Sequence, residues 1–282
     1  MQKKIIPHYI GTNCRQYSIY YRNQRTRVST DAVDSMNTYS MVKMSQRQLF
    51  LMSSSAVHGY EYLQHAQSDI SSFLKKNNVS KVLFIPYALT NHDSYTEKVG
   101  KVLKRWGFEC EGIHSSPNPV RAVNEAQAIY IGGGNTFLLL KTLYDQGLVE
   151  LIRIRVLNHA VPYVGSSAGT NVATRSIHTT NDMPIVYPPS FSALALVPFN
   201  INPHYLDPEV GGTHKGETRE ERLIQFHELN DAPVLGLREG STLLVDGEKA
   251  TLIGTRPARL FYRGSEPEEF EVGADLSFLL KG

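Results

Sequence analysis

Cysteine is nearly missing from this chain: 282 residues contain two, Cys14 and Cys110, beside a single tryptophan. Two thiols so far apart, neither in a CxxC pair, build no disulfide framework. That excludes a small stapled secreted scaffold and fits a reducing compartment. Long apolar runs are missing too. The greasiest stretches, 138–143 and 193–199, fall far short of the ~18–20 residues a membrane helix needs, and no apolar leader region argues for secretion. No membrane partner is expected. Metal-ligand spacing is absent as well. His227-Glu228-Leu229 lacks the second His of HExxH, His58 and His65 stand seven apart, and the cysteines have no partners at ligand spacing. Neither a metal nor a cofactor is expected.

Net charge is scarce, at +2 from 29 basic and 27 acidic residues, and no nucleic-acid partner is expected. The balance hides an asymmetry. Residues 1–47 carry eight Lys/Arg against Asp31 and Asp34, a net +6, which leaves −4 for the remainder. This head is Arg-rich and acid-poor like a mitochondrial presequence, yet it has no amphipathic helical stripe. It reads as a disordered extension, with Met41 and Met44 as internal starts, on a cytoplasmic protein; import into mitochondria is the alternative. Residues 48–282 read as one domain, an ordinary size.

From Gln48 onward, short apolar runs alternate with amphipathic segments, the signature of βαβ units and a doubly wound, mostly parallel sheet. Strands are predicted at 49–52, 82–85, 128–131 and 161–164, and helices at 60–76, 94–106 and 136–146. After Ala232 the pattern changes to successive strands at 233–237, 241–245, 250–253 and 258–262, linked by turn signals such as Asp246-Gly247. An antiparallel C-terminal section packed on the parallel sheet is therefore expected.

At 161–171 an apolar strand runs into Gly165-Ser166-Ser167-Ala168-Gly169 and then into a helix-compatible stretch. In that context Gly-x-Ser-x-Gly is a nucleophile elbow, a strained strand-to-helix turn that lifts the serine into a cleft. Ser167 is in the nucleophile register; Ser166 should point away or line the pocket. The N–H of Ala168, aided by the helix N-terminus, would face an oxyanion. A second glycine loop, Gly132-Gly133-Gly134-Asn135-Thr136-Phe137, also follows a strand. Phe137 stands where a dinucleotide fingerprint needs glycine, and the Gly-Lys-Ser/Thr ending of a phosphate loop is absent, so the loop is read as a second source of oxyanion donors. His204, stiffened by Pro203, is the candidate base. Two acids compete to orient it: Asp182 in Thr179-Thr180-Asn181-Asp182, and Glu239 at a strand end. Residues 212–222 open a helix capped near Gly216 or Thr218, where Arg219 could fork onto a substrate carboxylate.

These pieces, in this order, resemble the peptidase E family of α-aspartyl dipeptidases. The resemblance runs from about Gln48 to about Gly273 and rests on Ile131–Phe137, Ser167-Ala168-Gly169, Thr179–Val186, Ile201–His204 and His214–Arg219. It implies a fold like that of class I glutamine amidotransferases and cleavage of dipeptides that begin with aspartate. Site roles follow by position: Ser167 as nucleophile, His204 as base, Asp182 preferred over Glu239 as the third member, and an oxyanion hole from Gly133, Gly134 and Ala168. Arg219 and Asn135 are expected to bind the substrate. One departure stands before the nucleophile, where bacterial members commonly have Trp and this chain has Ser166. A cyanophycinase-type hydrolase and a non-catalytic binding protein on the same scaffold are the alternatives, and the resemblance leaves monomer or homodimer open.

Overall fold

A computed structural model describes residues 47–208 and 216–281. The basic head up to residue 46, with Cys14, Met41 and Met44, and residues 209–215, with His214, lie outside the described residues. Arg47, counted with the head above, belongs to the folded unit: its guanidinium donates to the Leu196 carbonyl and its own carbonyl accepts from Gly247 N–H.

Among the described residues, eleven strands and seven α-helices follow in order: β1 Gln48–Met52, α1 Gln67–Lys76, β2 Lys81–Ile85, α2 His92–Arg105, β3 Glu109–Gly112, α3 Pro119–Glu125, β4 Ile129–Ile131, α4 Thr136–Asp145, α5 Val149–His159, β5 Tyr163–Ser166, α6 Ala168–Val172, β6 Asn200–Pro203, α7 Arg219–Leu229, β7 Val234–Leu237, β8 Ser241–Asp246, β9 Lys249–Gly254, β10 Ala258–Phe261 and β11 Glu268–Phe270. The main sheet has the order β3-β2-β4-β5-β1-β8-β9. Its first five strands are parallel, and β8 and β9 continue it antiparallel beyond β1.

Strand periodicity sorts the core into two layers. Leu49, Leu51, Leu83, Ile85, Ile129, Ile131 and Tyr163 face α4 and α5, which contribute Leu140, Leu143, Ile152 and Val156. Phe50, Met52, Val82, Phe84, Tyr130 and Val164 face α1 and α2, with Ile70, Phe73, Val99 and Leu103. Burial on both faces explains why these strands read as continuous apolar runs.

The four C-terminal runs do form strands, but they divide between two sheets. β8 and β9 extend the main sheet, while β7 and β10 join β6 and β11 in a second sheet of order β11-β10-β7-β6. The predicted helix 60–76 is helical only from Gln67, after a 3-10 turn over Gln64–Ala66. Leu63, fully buried, takes φ 62°, a left-handed backbone that no helix can continue. β3, α3 and α5 were not read from the sequence. α3 carries a clear start signal, since Asn118 caps it through Arg121 N–H and Pro119 opens it.

Candidate active site

β5 delivers Ser167 to the carboxyl end of the main sheet, where α6 begins. Ser167 takes φ 53° and ψ −110°, a conformation costly for any residue with a Cβ. The turn is possible because its neighbours are glycines. A Cβ on Gly165 would lie 2.8 Å from the Gly169 backbone, and one on Gly169 would lie 2.0 Å from the Ile131 carbonyl oxygen. Two hydrogen bonds clamp the elbow to β1: Ser167 N–H and the Thr170 hydroxyl both donate to the Met52 carbonyl, at 3.2 and 2.6 Å. Ser166 is fully buried and points away from the cleft, with its Oγ 3.3 Å from the Tyr130 hydroxyl.

His204 follows β6, also with positive φ, 54°. Its placement depends on Ser53, fully buried just past β1. The Ser53 hydroxyl accepts from His204 N–H at 2.9 Å and donates to the Leu237 carbonyl at 2.8 Å. One small side chain thus joins the two sheets at the His204 backbone. Asn181 adds a second brace by donating to the Pro203 carbonyl at 2.7 Å. Held in this way, His204 Nε2 lies 3.0 Å from Ser167 Oγ, and Nδ1 lies 2.9 Å from Glu239 Oε1.

Glu239, not the preferred Asp182, therefore meets the imidazole. Asp182 instead receives the N–H and hydroxyl of Thr136, at 2.8 and 2.6 Å, at the start of α4. An anion there is favoured by the exposed N–H groups of the first turn. Asn135 also makes hydrogen bonds within the protein: its Oδ1 caps α4 through Leu138 N–H and its Nδ2 donates to the Met183 carbonyl.

Ser167, His204, Glu239, Gly133 and Gly134 line one cleft of about 480 Å³. Gly133 packs against the serine so closely that a Cβ there would sit 3.1 Å from that of Ser167. Its N–H faces the Tyr95 hydroxyl, whose pKa burial pushes far up. The N–H groups of Gly134 and Ala168 form no backbone hydrogen bond to the described residues. α6 has only five residues, so a macrodipole adds little here.

Arg219 is the first residue of α7, set by a capping box in which Thr218 and Glu221 exchange hydrogen bonds. It does not line the cleft with Ser167. Burial, then the neighbouring Arg222 charge, pulls its guanidinium below the ordinary value, and Asp182 opposes the shift. Sequence reasoning missed Ser53, which has no motif around it, and Lys98, which reads as one charge on an amphipathic helix yet lines the cleft.

A strained serine on a strand-to-helix turn, in line with an imidazole and a carboxylate, recurs on unrelated folds, so geometry alone names no family. The whole chain does. It is 59% identical to a Drosophila melanogaster protein named probable alpha-aspartyl dipeptidase, over 84% of this chain and 99% of that one. Identity to peptidase E of Streptomyces coelicolor is 53%, over 82% and 94%. The fold is shared with the crystal structure of a peptidase from an acI-B1 Actinobacterium, at TM-score 0.61 and 18% identity, covering 83% of this chain and 98% of that one. With residues 49–253 matching the profile of Peptidase family S51, the chain belongs to that family.

Proposed function

We propose that this protein is a serine dipeptidase that hydrolyses dipeptides with an N-terminal aspartate. The observation that carries the reading is the Ser167–His204–Glu239 relay, with links of 3.0 and 2.9 Å. Glu239 accepts the Nδ1 proton and so turns the Nε2 lone pair toward Ser167. Ser167 Oγ attacks the carbonyl of the aspartyl residue while His204 takes its proton. Ala168 and Gly134 N–H groups receive the oxyanion. His204 then protonates the departing amine, the acyl-enzyme is hydrolysed by water that His204 activates, and free aspartate leaves. Arg219 holds the aspartyl side chain. The two named relatives support this substrate class, since they align with this chain over nearly their whole length. A non-catalytic binding protein would not need the nucleophile half-buried at a cleft with a base in reach, and here both conditions are met. Low cysteine content and the free Cys110 thiol support a cytoplasmic setting.

The test is hydrolysis of Asp-Leu, Leu-Asp and a longer peptide beginning with aspartate, with Ser167→Ala alongside. Cleavage of Asp-Leu alone, lost by a factor of about 10⁴ or more in the variant, is the expected result. Equal cleavage of the longer peptide would remove the dipeptide restriction, and no cleavage of any would remove the assignment.

A further inference from the structure

The cleft that exposes Ser167 and His204 also holds a cation that the relay does not use. Lys98, on the exposed side of α2, lines it, and its ammonium rests 4.0 Å from the centroid of the Tyr62 ring. The neighbouring acids are engaged elsewhere: Glu97 pairs with Lys101, Glu61 with Arg105 and Glu239 with His204. Among the described residues no carboxylate pairs with Lys98. An ammonium seated on an aromatic face is held in place without being neutralised, and inside a cleft it raises the local concentration of anions.

This charge and the chemistry share one cleft, so the anions it meets there are those of the bound substrate. His204 must hand its proton to the departing amine, so the leaving residue lies on the His204 side of Ser167. Lys98 shares the cleft with His204 and Glu239, whereas Arg219 and Asp182 are not among its lining residues. In a dipeptide the leaving residue carries a free α-carboxylate one carbon beyond the departing nitrogen. In a longer peptide the same position is a neutral amide.

We propose that Lys98 receives the C-terminal carboxylate of the leaving residue and is a specificity-determining residue that favours dipeptides over longer chains. The proposal rests on the dipeptidase reading above. It places the two substrate carboxylates on two separate cations, Arg219 for the side chain and Lys98 for the chain end.

The experiment compares Asp-Leu with Asp-Leu amide in wild type, Lys98→Met and Lys98→Arg, with circular dichroism to check that each is folded. Loss of a hydrogen bond to a charged group corresponds to roughly tenfold to a hundredfold in affinity. Lys98→Met should therefore lower kcat/KM on Asp-Leu by about that factor, chiefly through KM, while the amide is unaffected and Lys98→Arg recovers most of the loss. An equal effect on both substrates, or none on either, overturns the proposal. Titration calorimetry of Asp-Leu into Ser167→Ala and into Ser167→Ala/Lys98→Met makes the same comparison without turnover. Equal affinity of those two variants overturns the role of Lys98 even if wild type is active. Wild type that binds Asp-Leu without cleaving it overturns the dipeptidase reading alone, and absence of binding overturns both.

Discussion

Two residues at the site sit at positive φ, Ser167 at 53° and His204 at 54°, and both are tied to the end of β1, by Ser167 N–H to the Met52 carbonyl and His204 N–H to the Ser53 hydroxyl. Which acid faces the imidazole is a different kind of fact. Chain order and local motif cannot separate Asp182 from Glu239, because the choice depends on β6 and β7 lying parallel, which brings Pro203 opposite Leu237 and so His204 near Glu239. Asp182 sits in the longer and more arresting motif, Thr179–Asp182, but that motif does scaffold work: it caps α4 and braces the strand before His204. The two carboxylates should therefore behave differently on neutralisation. Glu239→Gln is expected to lower kcat by about 10³–10⁴, since the imidazole loses both its tautomer control and the charge that stabilises imidazolium. Asp182→Asn is expected to leave kcat within about tenfold and to lower stability by ~0.5–2 kcal/mol, the usual cost of a weakened helix start. Steady-state kinetics and thermal melting of the pair decide the matter, and a collapse of kcat in Asp182→Asn would reverse the assignment.

At the scale of elements, strands buried on both faces were legible from sequence, β2 and β4 as uniform apolar runs, and so was α7, from Thr218 and its acids. What was not legible came from tertiary override. Residues 60–63 fit a helical stripe, yet Leu63 is turned left-handed to bury its side chain in the layer beneath α1 and α2. The C-terminal strands were visible one by one, but their division between two sheets depends on β8 finding the free edge of β1, a pairing across some two hundred residues that no local pattern records. If Arg219 binds the substrate as proposed, the cap of α7 has a functional side. Arg219 is its first residue, so the capping box that fixes the helix start also fixes the backbone from which the guanidinium projects. Thr218→Ala should cost ~1 kcal/mol of stability and raise KM for Asp-Leu more than it lowers kcat. A fall in kcat with KM unchanged would show that α7 does not carry a binding residue.

For the whole molecule, the charge split has a simple structural counterpart. Alignment to the Drosophila relative takes in 99% of that chain but 84% of this one, and the family match begins at residue 49, so the basic head lies outside what relatives share. A chain begun at Met44 is expected to keep the melting temperature and the kcat/KM of the full protein; a loss of either would assign the head a part in folding or catalysis.

The place of β1 in the sheet carries a consequence in time. The first strand of the described residues lies between β5 and β8, Ser53 at its end waits for His204 and Leu237, and Glu239 comes last among the site residues. During synthesis the relay can be completed only after more than four-fifths of the chain has emerged, because Ser167, His204 and Glu239 are distant in sequence and such pairings form late. A nascent chain that ends before β7 therefore carries Ser167 and His204 without Glu239, so the three-residue relay is a product of the last part of synthesis.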